Sequence, residues 1–133
     1  AFMRLSCLFL LALWPSSLLA ESEVVLGQRL FALHCAACHG EDARGTGSVG
    51  EVLDENPADL TTLAQRNGGT FPVAQTVAKI DGRSMIDAHG ATMPVYGYFF
   101  EGPAQTINAP SGTPVETTQA IAQLVSWLMY VQR

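Results

Sequence analysis

Apolar residues recur at helical spacing near both ends of the chain, while the middle shows only short periodic runs between glycine-rich connections. At the C-terminal end, Thr113-Pro114-Val115-Glu116 has the form of a capping box with proline at the first helical position, which predicts a helix starting there. Ile121, Leu124, Leu128 and Val131 then line one face, with Ala120 and Trp127 at its edge. At the other end, Ser22 is placed to cap a helix running to about Cys38, with Val24, Gly27 and Phe31 on one face. Glycine inside a helix costs about 1 kcal/mol relative to alanine. A close crossing by another helix backbone would account for Gly27; a tolerated surface position is the plainer alternative.

Between these ends, residues 39–57 (HGEDARGTGSVGEVLDENP) are glycine-rich and acidic and predict a loop. Pro57-Ala58-Asp59-Leu60 predicts a short helix near 58–66, stopped at Gly68-Gly69, and PVAQTVAKIDGR predicts another over about 72–81, ending at Gly82. An irregular aromatic stretch and a loop follow. No run of alternating strands is evident. Short helices on long loops supply too little regular structure for a large core, so something else has to fill the middle.

Length bounds the chain to one domain behind a leader. The apolar fraction of 48% is inflated by residues 1–20, in which Met3 and Arg4 precede the apolar run Leu5–Trp14 and a polar, small-residue tail, Pro15–Ala20. These are the parts of a secretory signal, and the run is too short for the roughly 20 residues that a bilayer-spanning helix needs. An uncleaved membrane anchor is the alternative. Cys7 lies inside this segment without a convincing lipoprotein cleavage box, so a domain over 21–133 retains only Cys35 and Cys38. The net charge is −5 and becomes more negative once Arg4 is removed with the leader. An acidic surface argues against nucleic acid and anionic membrane as partners and favours a basic protein.

The two cysteines stand in CAACH, residues 35–39. CxxCH is the attachment signature of covalent c-type haem: thioethers from Cys35 and Cys38 hold the macrocycle, and His39 is presented to the iron. Two other readings use the same residues. Zinc would need Cys35, Cys38, His39 and His89, although zinc ligands usually come as two separated pairs. A redox dithiol would need CxxC at a strand-to-helix junction, whereas here a helix leads into it. For a second axial ligand, Met93 in HGATMPVYG is the favoured candidate, a loop thioether stiffened by Pro94. His89 and Met85 stay open as alternatives, while Met129 and His34 read as packing or exposed side chains.

With these residues in view, the chain resembles the class I c-type cytochromes, small exported bacterial monohaem domains, over roughly residues 24–131. The segments GQRLFALHCAACHG, PADLTTLAQRNGGTFP, VAKIDGR, MPVYG and IAQLVSWLMYV carry the likeness. It implies an all-α fold of short helices and long loops around one covalent haem c, with the N- and C-terminal helices crossing. Gly27 and Phe31 would then meet Leu124, Trp127 and Leu128. Many relatives carry Gly-Pro in the loop after CxxCH, and here Ser48 stands where that proline is expected. A backbone acceptor for the His39 imidazole near Gly47–Ser48 is the corresponding expectation. Arg83 is the first candidate for a haem propionate, with Arg66 and Tyr96 behind it.

Ligation by His39 and Met93 leaves no coordination site for a substrate, and methionine raises the potential relative to a bis-histidine pair. The expected function is therefore carriage of single electrons between redox protein partners on the periplasmic side of the membrane, and not catalysis. The protein would be soluble or attached to the outer face of the cytoplasmic membrane. A haem subunit fixed in a larger membrane or periplasmic complex, reached through the N-terminal segment, is the alternative. A ligand-binding or peroxidatic haem with a weak sixth ligand is the third reading.

Overall fold

The computed structural model describes residues 21–83 and 93–133, so the leader, Met85 and His89 lie outside the described residues. The first helix, α1 (Glu23–His34), starts where the Ser22 hydroxyl accepts a hydrogen bond from the Val25 N–H at 3.3 Å, as the sequence predicts. Its expected continuation to Cys38 is broken at Cys35, whose backbone (φ −119°, ψ −32°) interrupts the ladder before a single further turn, α2 (Ala36–His39). The break reorients the CAACH turn while keeping it joined to the helix.

Residues 58–66 form a 3₁₀ turn, Leu60–Thr62, running into α3 (Leu63–Arg66). Asp59 caps this segment by accepting from the Thr61 N–H at 2.9 Å. The fourth helix, α4 (Val73–Asp81), buries Val73, Thr76, Val77 and Ile80 and closes at Gly82 in the left-handed conformation, within a residue of expectation.

The C-terminal element departs from its prediction. The segment 114–118 does not start a helix; it is the strand β2 (Pro114–Thr118), paired antiparallel with β1 (Ala104–Asn108) in the register Thr106↔Glu116 and Ile107↔Val115. The physical reason lies in its β-branched composition and in the reach of Glu116. Its carboxylate accepts from the Thr106 hydroxyl across the ribbon at 2.5 Å instead of turning back to cap. Pro114 is tolerated as the first residue of its strand. The fold is accordingly helix-rich with a two-stranded ribbon, not purely α-helical.

Helix α5 (Gln119–Tyr130) follows directly, with its first N–H, that of Gln119, donated to the Pro103 carbonyl at 2.9 Å. It is the centre of the core. Ile121, Leu124 and Val125 are almost fully buried, α4 and the ribbon pack on its flanks, and α1 makes its most extensive partner. Where α1 crosses α5, a Cβ on Gly27 would run into the carbonyl oxygen of Gln123 and stand 3.0 Å from the Trp127 Cβ. Phe31 and Trp127 complete the crossing with ring centroids 4.3 Å apart. The expected meeting of α1 with α5 therefore occurs at the expected glycine, and close approach is why it is glycine. Among the described residues no helix is long and apolar enough to cross a membrane.

Candidate functional site

The break at Cys35 turns the α2 end into the wall of a cavity of about 330 Å³. Cys35, Cys38 and His39 line one part of it, Pro57, Leu60 and Leu63 another, and Met93, Pro94 and Tyr96 a third. Five of the six residues expected at the site thus share one space, and Arg83 is the exception. Both cysteines are free and half-buried. Burial, and secondarily the neighbouring Cys38, pushes the Cys35 thiol up to about 11. A catalytic dithiol has its attacking thiol lowered toward neutrality, and it follows a strand; here the thiol is raised and follows α1. The redox-dithiol reading fails on both points. Among the described residues no three His, Cys, Asp or Glu side chains converge to hold a metal ion, and the zinc alternative would draw its fourth ligand, His89, from outside them.

The loop after CAACH folds back on the carbonyl end of α2. The Gly47 N–H donates to the Cys38 carbonyl at 3.1 Å and the Val49 N–H to the Ala37 carbonyl at 2.9 Å. A Cβ on Gly47 would strike the carbonyls of Ala36 and Ala37, so only glycine lets the loop lie this close. The Gly47 carbonyl already accepts from the Gly50 N–H at 2.9 Å, and the His39 imidazole finds its acceptor elsewhere. Nδ1 lies 3.1 Å from the carbonyl oxygen of Ala58, which replaces the acceptor expected near Gly47–Ser48. A carbonyl can only accept, so the proton sits on Nδ1 and the lone pair on Nε2. Burial lowers the imidazole's pKa, with the Ala58 bond opposing the shift, and burial is the larger cause. The ring is held neutral, as a metal ligand must be.

The segment carrying Met93 is fixed by its return over α4. The Tyr96 N–H donates to the Ile80 carbonyl at 3.2 Å and the Gly97 N–H to the Asp81 carbonyl at 2.8 Å. Met93 is half-buried against the core. Tyr96 donates its hydroxyl to the His34 carbonyl at 2.7 Å, and burial raises its pKa. Its ring therefore forms wall, with the hydroxyl already committed. His34 borders the cavity too, packed edge-on against Phe99 and Phe100.

Arg83 does not line the cavity. Its guanidinium is held by Asp81 at 2.7 Å, reaches Glu101 at 3.8 Å and lies 5.7 Å from the Tyr98 ring centroid. The adjacent carboxylate captures the side chain before it can serve a propionate. Cations do border the cavity at Arg66 and Lys79. Arg66 was a secondary expectation, and it also donates to the Asp59 carbonyl at 2.6 Å. Lys79 was missed, although its place in α4 between buried Val77 and Ile80 carried a signal. Ala58 was missed because a backbone acceptor has no side chain to announce it.

The donor set fits a tethered haem: two thiols, a neutral imidazole with free Nε2 and a thioether open on one largely apolar cavity bordered by two cations. The family model described as cytochrome c matches residues 24–132, nearly all of the described chain. No curated protein and no solved structure matches significantly.

Proposed function

The chain belongs to the cytochrome c family, and we propose that it carries single electrons between redox protein partners on the periplasmic side of the membrane. A cytochrome c domain binds covalent haem c, whose iron supplies the one-electron couple. The observation carrying the proposal is that His39 and Met93 border the same cavity as both cysteines, so that the protein itself can furnish both axial ligands. Held by both residues, the iron would leave a substrate nowhere to coordinate, and the chemistry the cofactor would supply is one-electron exchange.

The chain's own residues then have defined tasks. Cys35 and Cys38 tether, and His39 is aimed by Ala58. Leu60, Leu63 and Tyr96 would exclude water, and Lys79 and Arg66, at the cavity border, would meet the propionates. The periplasmic setting follows from the leader-like residues 1–20, and the acidic net charge favours a basic partner docking through a small, transient contact. The decisive test is spectroscopic. The ferric protein should show a weak near-infrared sulfur-to-iron band, and the reduced protein should bind carbon monoxide slowly. Fast carbon monoxide binding by the parent protein would exclude this reading in favour of an open-site haem.

One observation favours a second reading, a subunit fixed in a larger complex: Tyr98 and Phe99 are 72% and 62% exposed side by side. Elution as a monomer from detergent-free solution would count for the free carrier. Co-purification from membranes with a larger assembly would count for the subunit.

A further inference from the structure

Gln132 and Arg133, just beyond α5, are bonded into the segment that aims the histidine. The Arg133 N–H donates to the Thr61 carbonyl at 3.0 Å and its Nε to the Thr61 hydroxyl at 2.7 Å. Its Nη2 lies 2.8 Å from the Asp59 carboxylate. Gln132 donates to the Leu60 carbonyl at 2.7 Å and accepts from the Ala64 N–H at 2.9 Å. Asp59 directly follows Ala58, the acceptor of the His39 Nδ1 proton. No side chain needs to touch the imidazole for this arrangement to matter. The position of one carbonyl decides the strength of the bond, and the clamp holds the backbone immediately beyond that carbonyl.

We propose that Arg133, acting with Gln132 through Asp59 and Thr61, is a positioning residue that holds the Ala58 carbonyl on His39 and thereby sets the electron richness of the iron's imidazole ligand. The inference rests on His39 serving as that ligand. Three features point the same way. The contacts are to backbone as well as side chains, so they fix main-chain position. Thr61 is 4% exposed, so its bonds to Arg133 are sheltered from competing water. On the other side, the Leu60 N–H is bonded to the Ala43 carbonyl at 2.8 Å, so the segment is held between the CAACH loop and the chain end. Groups bonded to a metal-bound histidine tune the metal through ligand basicity. A longer Nδ1–H···O bond makes a poorer donor, stabilises the ferric state less and raises the potential.

The test uses the haem-loaded protein and compares Arg133→Ala and Arg133→Lys with a remote ion-pair control, Arg29→Ala, which removes only the Glu21 contact. Reduction potential and, in the ferrous state, exchange of the His39 Nδ1 proton by NMR are the readouts. Arg133→Ala should raise the potential and speed exchange about fivefold, the scale of losing a bond worth about 1 kcal/mol. Arg133→Lys keeps a charge near Asp59 and should restore part of both, while Arg29→Ala should change neither. Should Arg133→Ala lower only the denaturation midpoint, with potential and exchange as in the parent, the clamp is merely structural and the proposal falls. A parent protein with no haem-shifted His39 resonance would remove the proposal together with the ligand assignment, which the spectrum of the parent reveals before any variant is made.

Discussion

The Cα of Gly27 lies against the carbonyl of Gln123, so that α1 and α5 meet backbone to backbone where any side chain would intrude. Gly27→Val has to separate them, and overpacking of this kind costs about 1–3 kcal/mol. Trp127→Ala, at a side chain 5% exposed and packed on Phe31, should cost about 3–5 kcal/mol. Denaturant midpoints of the haem-loaded variants test both values, and unchanged midpoints would refute the crossing.

Met93 carries the prediction that separates electron carriage from ligand binding. Met93→Ala should abolish the near-infrared band, lower the potential and open the reduced protein to carbon monoxide. Met93→His should also remove the band while keeping the sixth position occupied. Met85→Ala should leave band and ligand binding as in the parent; loss of the band in that variant would move the assignment to Met85.

Lys79 takes the place at the cavity that the sequence led us to expect of Arg83. Lys79 borders the cavity, whereas Arg83 is neutralised by Asp81 outside it. Removing a positive charge beside the cofactor favours the ferric form, so Lys79→Gln should lower the potential, and the shift should shrink as salt is added. Arg83→Ala should shift it less. A larger shift for Arg83 would restore Arg83 as the propionate partner.

Acid should weaken the return of the Met93 segment over α4. The Arg83 hydrogen bond, ahead of smaller effects, holds the Asp81 carboxyl below its ordinary value of 3.8. Its folded pKa is thus depressed. The contribution is complete above the unfolded value and disappears as pH falls through the folded one. Asp81→Asn should therefore lower the thermal midpoint at neutrality, where the contribution is complete, and flatten its dependence on pH below about 4, so that variant and parent converge in acid. An acid slope equal to the parent's would show that the pair does not stabilise the fold.

Much of this was legible in the residues because it was written in side chains. CAACH names its own chemistry, Gly82 ends α4 by its left-handed backbone, and Gly27 marks a crossing that no larger residue permits. The misses arose where two local signals competed or where the backbone acted alone. Thr113-Pro114-Val115-Glu116 satisfies the rules of a helix start, yet Glu116 finds Thr106 across a ribbon only after β1 is in place. That partner lies ten residues away, beyond the reach of a capping pattern. Arg83 had the right charge and neighbourhood, but Asp81, two residues away, binds it first. The acceptor at Ala58 is a carbonyl like any other until the fold brings His39 to it.

The pairing of α1 with α5 also orders events in time. These helices lie at opposite ends of the described residues, so the partner of Gly27 and Phe31 is the last of the described helices to emerge during synthesis. Bringing such distant segments together carries a loop-closure cost that nearby contacts avoid. Until then the core against which Cys35 packs is incomplete. In the finished fold burial raises the Cys35 thiol, and a thiol that seldom ionises is a slow nucleophile. Thioether formation should thus proceed more readily before α5 docks than after it.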